Sequence, residues 1–227
     1  MLRVTEMRAG TPYKIAKLDN ASLGLKLQLR RRALRRRMEL GSVPFILDAY
    51  AGFGRIWNHC YRDYEGVALE KDEAKCYELA RLRPTWPVYS VDTPSAIEQG
   101  ILDRFPINFL DVDTWGAPWE CIEAWFARMA RPKAETDSGG GFEPRLDIVA
   151  TDGGGLGIRF TSGWELPRFQ RYVAQYGATR MFDRYLDVCR DMMTDISAAA
   201  GYELVDWVAL RTGRDKSMAL FWGGFEA

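Results

Sequence analysis

The sequence predicts a doubly wound α/β fold with a seven-stranded, mostly parallel sheet and a basic N-terminal arm. Short apolar segments of strand length alternate with amphipathic segments of helix length from residue 43 onward. Glycine turns follow several of the strand-length segments. The chain has 227 residues, 47% of them hydrophobic, so it can bury a full core. Length favours one large domain with a short appendage, divided as 1–41 for the arm and 42–227 for the main domain.

The predicted elements follow in order along the chain. Strands are predicted at 43–48, 64–70, 88–92, 107–113, 146–152, 202–210 and 217–225. Helices are predicted near 54–62, 71–82, 94–105, 118–130 and 181–201, and Gly201 is expected to end the last of them. Polar or glycine-rich loops are predicted at 131–145 and 153–167. Alternating strands and helices build a doubly wound sheet, with the last two strands as an antiparallel pair at one edge.

The net charge of zero hides an uneven distribution. Residues 1–41 carry eleven Lys and Arg against three acids, so the arm is near +8 and the remainder near −8. A basic arm on an acidic body suggests a polyanionic partner. The densest part is KLQLRRRALRRRM, where the leucine spacing fits either a strand or a helix. We predict that nucleic-acid phosphates are bound there by Arg30, Arg31, Arg32, Arg35, Arg36 and Arg37. The alternatives are a solvated helix and an interface with a neighbouring acidic body.

Several classes of protein are disfavoured by composition. No signal peptide is recognisable, and no apolar segment reaches the ~20 residues needed to cross a bilayer. The four cysteines are widely spaced, which predicts reduced, packed thiols in a cytoplasmic protein. The single histidine, His59, cannot anchor a histidine-based metal site, and no metal is predicted.

The stretch FILDAYAGFGRIW indicates a ligand site at the end of the first strand. A glycine turn there lets the backbone approach a cofactor closely. Acids end the next two strands, Glu70 lying 22 residues after Asp48 and Asp92 ending the third. A strand-end acid at this spacing can receive two ribose hydroxyls. The third glycine of GxGxxG is absent, which favours S-adenosylmethionine over a dinucleotide, because S-adenosylmethionine has no pyrophosphate to cradle.

These segments resemble a known family. DAYAGFG, LEKD, SVD and FLDVDTWGAPW are similar to the motifs of class I, Rossmann-like, S-adenosylmethionine-dependent methyltransferases, over about residues 43 to 225. DVDTWGAP is similar to the DxDPFGxP stretch of tRNA guanine-N2 dimethyltransferases, with Thr114 in the proline position, and VATDGGGLG resembles a strand end of that group. The predicted cofactor contacts are Asp48, Ala49, Tyr50, Ala51, Gly52, Gly54, Glu70, Lys71, Asp92, Thr93 and Asp111.

The fourth strand carries the predicted chemistry. An exocyclic amine is a poor nucleophile because its lone pair is delocalised into the base. A carboxylate that accepts a hydrogen bond from the amine localises that pair and can take the proton. Asp113 is the candidate for this role, and Trp115 is the candidate surface for stacking an extruded base. Thr151 and Asp152, at the end of the fifth strand, are expected to shape the substrate pocket.

Each assignment has a structural alternative. Asp48, Glu70 and Asp92 could each cap the turn or helix that follows. Asp111 could be a structural carboxylate or touch the amino-acid end of the cofactor. Trp115 could be a core residue beside Trp119, and Asp152 could begin a turn.

The predicted function is S-adenosylmethionine-dependent N-methylation of a nucleic-acid base, in RNA before DNA. Two alternatives remain: a methyltransferase for a small molecule or protein, and a non-catalytic nucleic-acid-binding module with this fold.

Overall fold

The computed structural model of the protein describes residues 22–82, 85–129, 145–154, 167–213 and 216–227. Residues 1–21 of the predicted arm lie outside this part of the chain. So do nearly all residues of the two predicted loops, 131–145 and 153–167.

The described residues contain one seven-stranded sheet, as predicted. Its strands are β1 (Phe45–Asp48), β2 (Glu65–Glu70), β3 (Val88–Ser90), β4 (Phe109–Asp113), β5 (Arg145–Asp152), β6 (Glu203–Thr212) and β7 (Met218–Glu226). The strand order is β3-β2-β1-β4-β5-β7-β6. The first five strands are parallel, and β7 runs antiparallel to both β5 and β6. The order reverses between β1 and β4, which marks the ligand-binding edge of such sheets.

Six α-helices are described. They are α1 (Leu23–Glu39), α2 (Glu73–Leu82), α3 (Thr93–Glu98), α4 (Trp119–Met129), α5 (Gln170–Tyr176) and α6 (Tyr185–Ala199). The helix predicted near 54–62 contains a π-helical segment, Trp57–Tyr61. The helix predicted over 94–105 is wrong in length, since it ends at Glu98 and Gly100 follows with φ of +71°. Gly201, with φ of +83°, ends α6 as predicted.

Two apolar layers cover the sheet, one on each face. The π-helical segment, α1 and α2 pack on one face, where Leu34, Phe109 and Trp222 are buried together. Helices α3 to α6 pack on the other face, around residues such as Trp119 and Phe221. The fold is therefore doubly wound, as predicted.

Helix α1 packs against the sheet and does not form a separate arm. Leu29, Ala33 and Leu34 are at most 3% exposed and share the core of the first face with β1, β4 and β7. Residues 22–41 thus belong to the folded body, and the boundary predicted at 41/42 falls inside one packed unit. No described helix is long and apolar enough to cross a membrane.

Candidate active site

The ends of β1, β2 and β4 meet at one edge of the sheet, called the carboxyl edge here. Asp48 is in register with Ala68 on β2 and with Asp111 on β4. Glu70 and Asp113 each lie two residues beyond those partners. Parallel strands in this register deliver the Glu70 and Asp113 carboxylates to the same rim, on either side of the segment that follows Asp48.

That segment, residues 49–54, forms the glycine turn. Gly52 and Gly54 have φ of +54° and +73°, which only glycine adopts readily. The Gly52 N–H donates to Oε2 of Glu70 at 2.9 Å. A Cβ built on Gly52 would meet no atom within 4 Å, so the turn faces open space. Asp48 is only 2% exposed, and a ligand at this turn would therefore meet backbone atoms rather than its carboxylate.

Glu70 is held by the backbone on two sides. Besides the Gly52 N–H, its Oε1 accepts from the Asp72 N–H at 3.0 Å. Capping of α2 falls instead to Asp72, whose Oδ1 accepts from the N–H groups of Ala74 and Lys75. The helix-capping alternative for Glu70 is therefore wrong, and its half-buried carboxylate is fixed at the mouth of the turn. Lys71, also predicted to contact the cofactor, is exposed beside it.

Asp92 is the N-cap of α3, as its structural alternative predicted. Its Oδ2 accepts from the Ser95 N–H and hydroxyl at 3.4 and 3.0 Å. The buried Thr93 hydroxyl donates to the Ala49 carbonyl and so ties α3 to the glycine turn. Ala49 and Ala51 are also buried, and Tyr50 is partly buried. Burial, the main cause, raises the pKa of Tyr50 well above its ordinary value.

The Asp111 side chain is enclosed by the protein, which corrects its predicted role as a cofactor contact. Its side chain is fully buried, and Arg30 of α1 binds it through two hydrogen bonds of 2.6 and 2.7 Å. Tyr61 donates a third bond of 2.6 Å to Oδ2. Because protein donors engage both oxygens, Asp111 is a structural carboxylate, which was the alternative assignment for this residue. Burial, followed by the negative charge of Asp111, raises the pKa of Tyr61 well above its usual value.

Asp113 lies one pleat further out on the same face of β4. Lys26 of α1 places its Nζ 2.6 Å from Oδ1, and Arg30 Nη2 is 3.8 Å from the same oxygen. Burial opposes ionisation of Asp113. The charges of Arg30 and Lys26 outweigh it and hold the pKa of Asp113 below its ordinary value of 3.8. Asp113 is therefore an anion at neutral pH, and its side chain keeps 16% exposure at the rim.

Trp115 is 84% exposed on the loop after β4, so the core alternative for this residue is wrong. The core position belongs to Trp119, which is fully buried and stacks on Phe221. The Gly153 N–H donates to the Gly116 carbonyl at 2.9 Å, which joins the loop after β4 to the end of β5. The large indole of Trp115 thus stands in solvent beside the strand that carries Asp113.

The end of β5 carries a closed polar cluster. Asp152 is fully buried and accepts from Trp119 Nε1 at 3.1 Å, from the Tyr185 hydroxyl, and from the Gly154 N–H at 2.6 Å. Burial raises the pKa of Asp152 despite these donors. Thr151 is buried next to it, in register with Asp113. Asp152 thus holds Gly154 just after the end of β5, and its carboxylate does not face solvent.

The six predicted phosphate-binding arginines divide into two groups. Arg30 and Arg37 are fully buried, Arg30 on Asp111 and Arg37 on Asp147 at 2.9 Å, so the prediction is wrong for these two. The other four are called the outer arginines here. They are Arg31, Arg32, Arg35 and Arg36, of which the first three are exposed and the last is partly exposed.

Sequence reasoning missed Lys26, Tyr61 and Tyr185, which hold the strand-end acids. A signal for Lys26 was present. Lys26, Arg30 and Arg37 fall on one helical face with Ala33, at spacings of three and four residues. Opposite them, Asp111 and Asp147 interrupt apolar strands, and a buried acid needs a partner. Tyr61 and Tyr185 stand in segments where nothing distinguished them from ordinary core aromatics.

Comparisons with known proteins identify the fold. No protein-family model and no curated protein matches this chain. Among solved structures, the plantazolicin methyltransferase BamL, in complex with a desmethylPZN analogue and SAH, has a TM-score of 0.54 at 8% identity over 92% of this chain and 86% of that chain. The cyclopropane synthase MmaA2 from Mycobacterium tuberculosis has a TM-score of 0.50 at 11% identity, covering 95% and 87%.

A Pyrococcus horikoshii protein described as an RNA methyltransferase has a TM-score of 0.50 at 9% identity, covering 88% of this chain and 84% of that chain. At these identities the likeness shows the fold, which is the class I methyltransferase fold that the motifs predicted. None of these three is described as a tRNA guanine-N2 dimethyltransferase, so that finer resemblance stays a prediction.

Proposed function

We propose that this chain is an S-adenosylmethionine-dependent N-methyltransferase that acts on a nucleic-acid base, RNA before DNA. The observation that carries the proposal is the carboxyl edge itself. Glu70 and Asp113 stand on either side of an open glycine turn, in the fold that the methyltransferase neighbours share. The Glu70 carboxylate is suited to hold a nucleoside, and the Asp113 carboxylate is suited to accept a proton.

The residues around the glycine turn fit the cofactor. Each carboxylate oxygen has two acceptor sites, and each Glu70 oxygen accepts one backbone N–H. The second site on each oxygen suits the two ribose hydroxyls. The open space over Gly52 admits the nucleoside against the backbone, where any side chain would project into it. When bound, S-adenosylmethionine supplies an electrophilic methyl group on a sulfonium centre.

In this proposal Asp113 acts as the general base. As an anion it accepts a hydrogen bond from the amino group, which localises the nitrogen lone pair for attack, and it takes the proton that the amine loses. Lys26 and Arg30 both approach Oδ1, so this proposal assigns the amine to Oδ2. The same two cations fix the orientation of the carboxylate, which contributes through positioning.

The nucleic-acid assignment has two supports. Trp115 offers an exposed ring beside Asp113 on which an extruded base can stack, and such stacking contributes ~1–3 kcal/mol per base. The outer arginines form a cationic surface on α1, whereas the buried cations Lys26, Arg30 and Arg37 are already paired with carboxylates of the sheet. The fold itself does not choose the substrate, because its neighbours include both a plantazolicin methyltransferase and a protein described as an RNA methyltransferase.

One observation favours a second candidate, a nucleic-acid-binding module that transfers no methyl group. Lys26 already occupies Oδ1 of Asp113, so the carboxylate has a partner before any substrate arrives. Turnover separates the two candidates, since the module would bind RNA and leave it unmethylated.

Calorimetry with S-adenosylmethionine is the first test. We expect Glu70→Ala to weaken binding at least tenfold, because it removes both proposed ribose acceptors. Glu73→Ala is the matched control, an exposed acid three residues along the chain, and it should bind as the wild type does. Wild-type protein is then incubated with labelled cofactor and total RNA, DNA or protein, and nucleosides are analysed by mass spectrometry. Label on protein alone, or no cofactor binding, would refute the proposal.

A further inference from the structure

We propose that the groove between α1 and the edge strand β6 binds the phosphate backbone of single-stranded RNA. This inference rests on the proposed function for its choice of polynucleotide. The groove has a volume of about 610 Å³, and Arg31, Arg32, Arg35 and Arg36 form its α1 side. Asp206 and Val208 of β6 line the opposite side.

The charge of the groove remains positive after its internal pairs are counted. Four arginines face two acids, Glu39 and Asp206. Asp206 is engaged by Arg145 at 2.6 Å and by Arg36 at 3.3 Å. The surplus therefore comes mainly from Arg31, Arg32 and Arg35. On the inner face of the same helix each buried cation meets a carboxylate of the sheet, so the two faces of α1 differ in whether their charge is compensated.

The spacing of the outer arginines suits an extended polyanion better than a single phosphate group. The lining residues of α1 lie between Gln28 and Glu39, a stretch of twelve residues that spans about 16 Å of helix axis. The four arginines occupy positions 31 to 36 within this length, about 7.5 Å of helix axis, and so form a track along the helix. Guanidinium groups bind phosphate oxygens through paired N–H donors, so a strand that follows the track can engage several phosphates at once.

The groove also leads toward the proposed active site. Lys26, near the start of α1, contacts Asp113 at the carboxyl edge, whereas Arg37, near its end, contacts Asp147 near the beginning of β5. Helix α1 therefore runs antiparallel to β4 and β5. The groove begins near Gln28, about half a turn along from Lys26. A strand lying in the groove can reach the carboxyl edge, where Trp115 stands exposed.

The test compares two triple variants that remove the same charge. The first, called the track variant, removes three arginines of the groove and is Arg31→Ala/Arg32→Ala/Arg35→Ala. The second is the control, which removes three exposed arginines elsewhere and is Arg81→Ala/Arg180→Ala/Arg190→Ala. Binding of a fluorescein-labelled oligouridylate is followed by anisotropy over a range of salt concentrations. Single strands lose about 0.7 in the slope of log K against log salt for each phosphate contact. We expect the track variant to bind at least tenfold more weakly, with a slope smaller by about 2, and the control to retain wild-type values.

Further measurements on the track variant make the result unambiguous. Its melting temperature and its affinity for S-adenosylmethionine should match the wild type, since the three side chains are exposed and lie away from the glycine turn. Equal RNA affinity of the two variants would overturn the proposal. So would light scattering that shows a wild-type dimer dissociated by the track variant, because the groove would then hold a second copy. Loss of RNA binding in a protein that never binds the cofactor would uphold the groove and refute the proposed function.

Discussion

Arg30 and Asp111 form a bidentate ion pair in which neither side chain is exposed to solvent. The pair joins α1 to the middle of β4 and also holds the Tyr61 hydroxyl. Charge buried in this way depends on its partner, because either group left alone would be an unsolvated ion in the core. The basic helix is thus fixed to the sheet by the residues that give it its charge.

Arg30→Met should therefore destabilise the protein by about 3–5 kcal/mol in urea unfolding, since it leaves Asp111 buried without its counter-charge. Arg30→Met/Asp111→Asn should recover most of that loss, because no charge remains buried and the amide oxygen still accepts from Tyr61. The exposed neighbour is the control, and Arg32→Met should change stability by no more than about 0.5 kcal/mol. A single variant as stable as the wild type would contradict this account.

Gly52 and Gly41 offer a matched pair for testing the cofactor cradle. Both have positive φ, +54° and +81°, and a Cβ on either would meet no atom within 4 Å. Alanine should cost each about 1–2 kcal/mol of stability through backbone strain. Only Gly52→Ala should also weaken S-adenosylmethionine binding in calorimetry, by at least tenfold, because its methyl group enters the space proposed for the nucleoside. Equal cofactor affinity of the two variants would remove Gly52 from the site.

Lys26 should set the pH dependence of the reaction through Asp113. Its charge helps to hold the pKa of Asp113 below 3.8. Lys26→Met removes that charge and should raise the pKa of Asp113, so the acid limb of the kcat/KM profile moves to higher pH. Lys26→Arg restores the charge and should return the limb toward its wild-type position. A purely structural role for Lys26 would lower activity without moving the limb.

The lowered pKa values of Asp113 and Asp206 predict how stability changes in acid. Each carboxyl ionises more readily in the folded than in the unfolded chain. Its contribution is therefore fully present above the unfolded pKa of about 4 and is lost as pH falls through the lower folded pKa. The free energy of unfolding should decline below pH 4, and Asp206→Asn should reduce the slope there. An unaltered slope would show that the Asp206 pairs contribute nothing measurable.

The strands and the glycine turn were predictable because their signals are local. Apolar runs of strand length, a strand-end acid and glycines at φ-demanding positions follow from residues adjacent in sequence. The inner face of α1 was not predicted, because the partners of Arg30 and Arg37 lie 81 and 110 residues away. Charge density alone indicated a solvated polyanion-binding segment. Only the folded sheet shows which of those cations meet the buried carboxylates of β4 and β5.

Contacts between residues distant in sequence were also unpredictable at the candidate site. Glu70 was identified from its spacing after Asp48, but its hydrogen bonds to the backbone depend on how the glycine turn folds over β2. Asp111 and Asp113 lie on the same face of β4, two residues apart, and nothing in the sequence indicates that their environments differ. Burial separates them, because Arg30 and Tyr61 enclose the first and the rim exposes the second.

Trp115 provides a test of substrate binding that folding does not complicate. Its ring is 84% exposed, so Trp115→Ala should leave the melting temperature unchanged. If an extruded base stacks on it, kcat/KM for RNA should fall about 5- to 150-fold, which corresponds to ~1–3 kcal/mol per base, while Trp115→Phe keeps most of the activity. Tyr77→Ala, which removes an aromatic ring that is 62% exposed on α2, should have no effect. If Trp115→Ala and Tyr77→Ala gave equal rates, the base would have to be held by another surface, and the exposed indole would have no part in recognition.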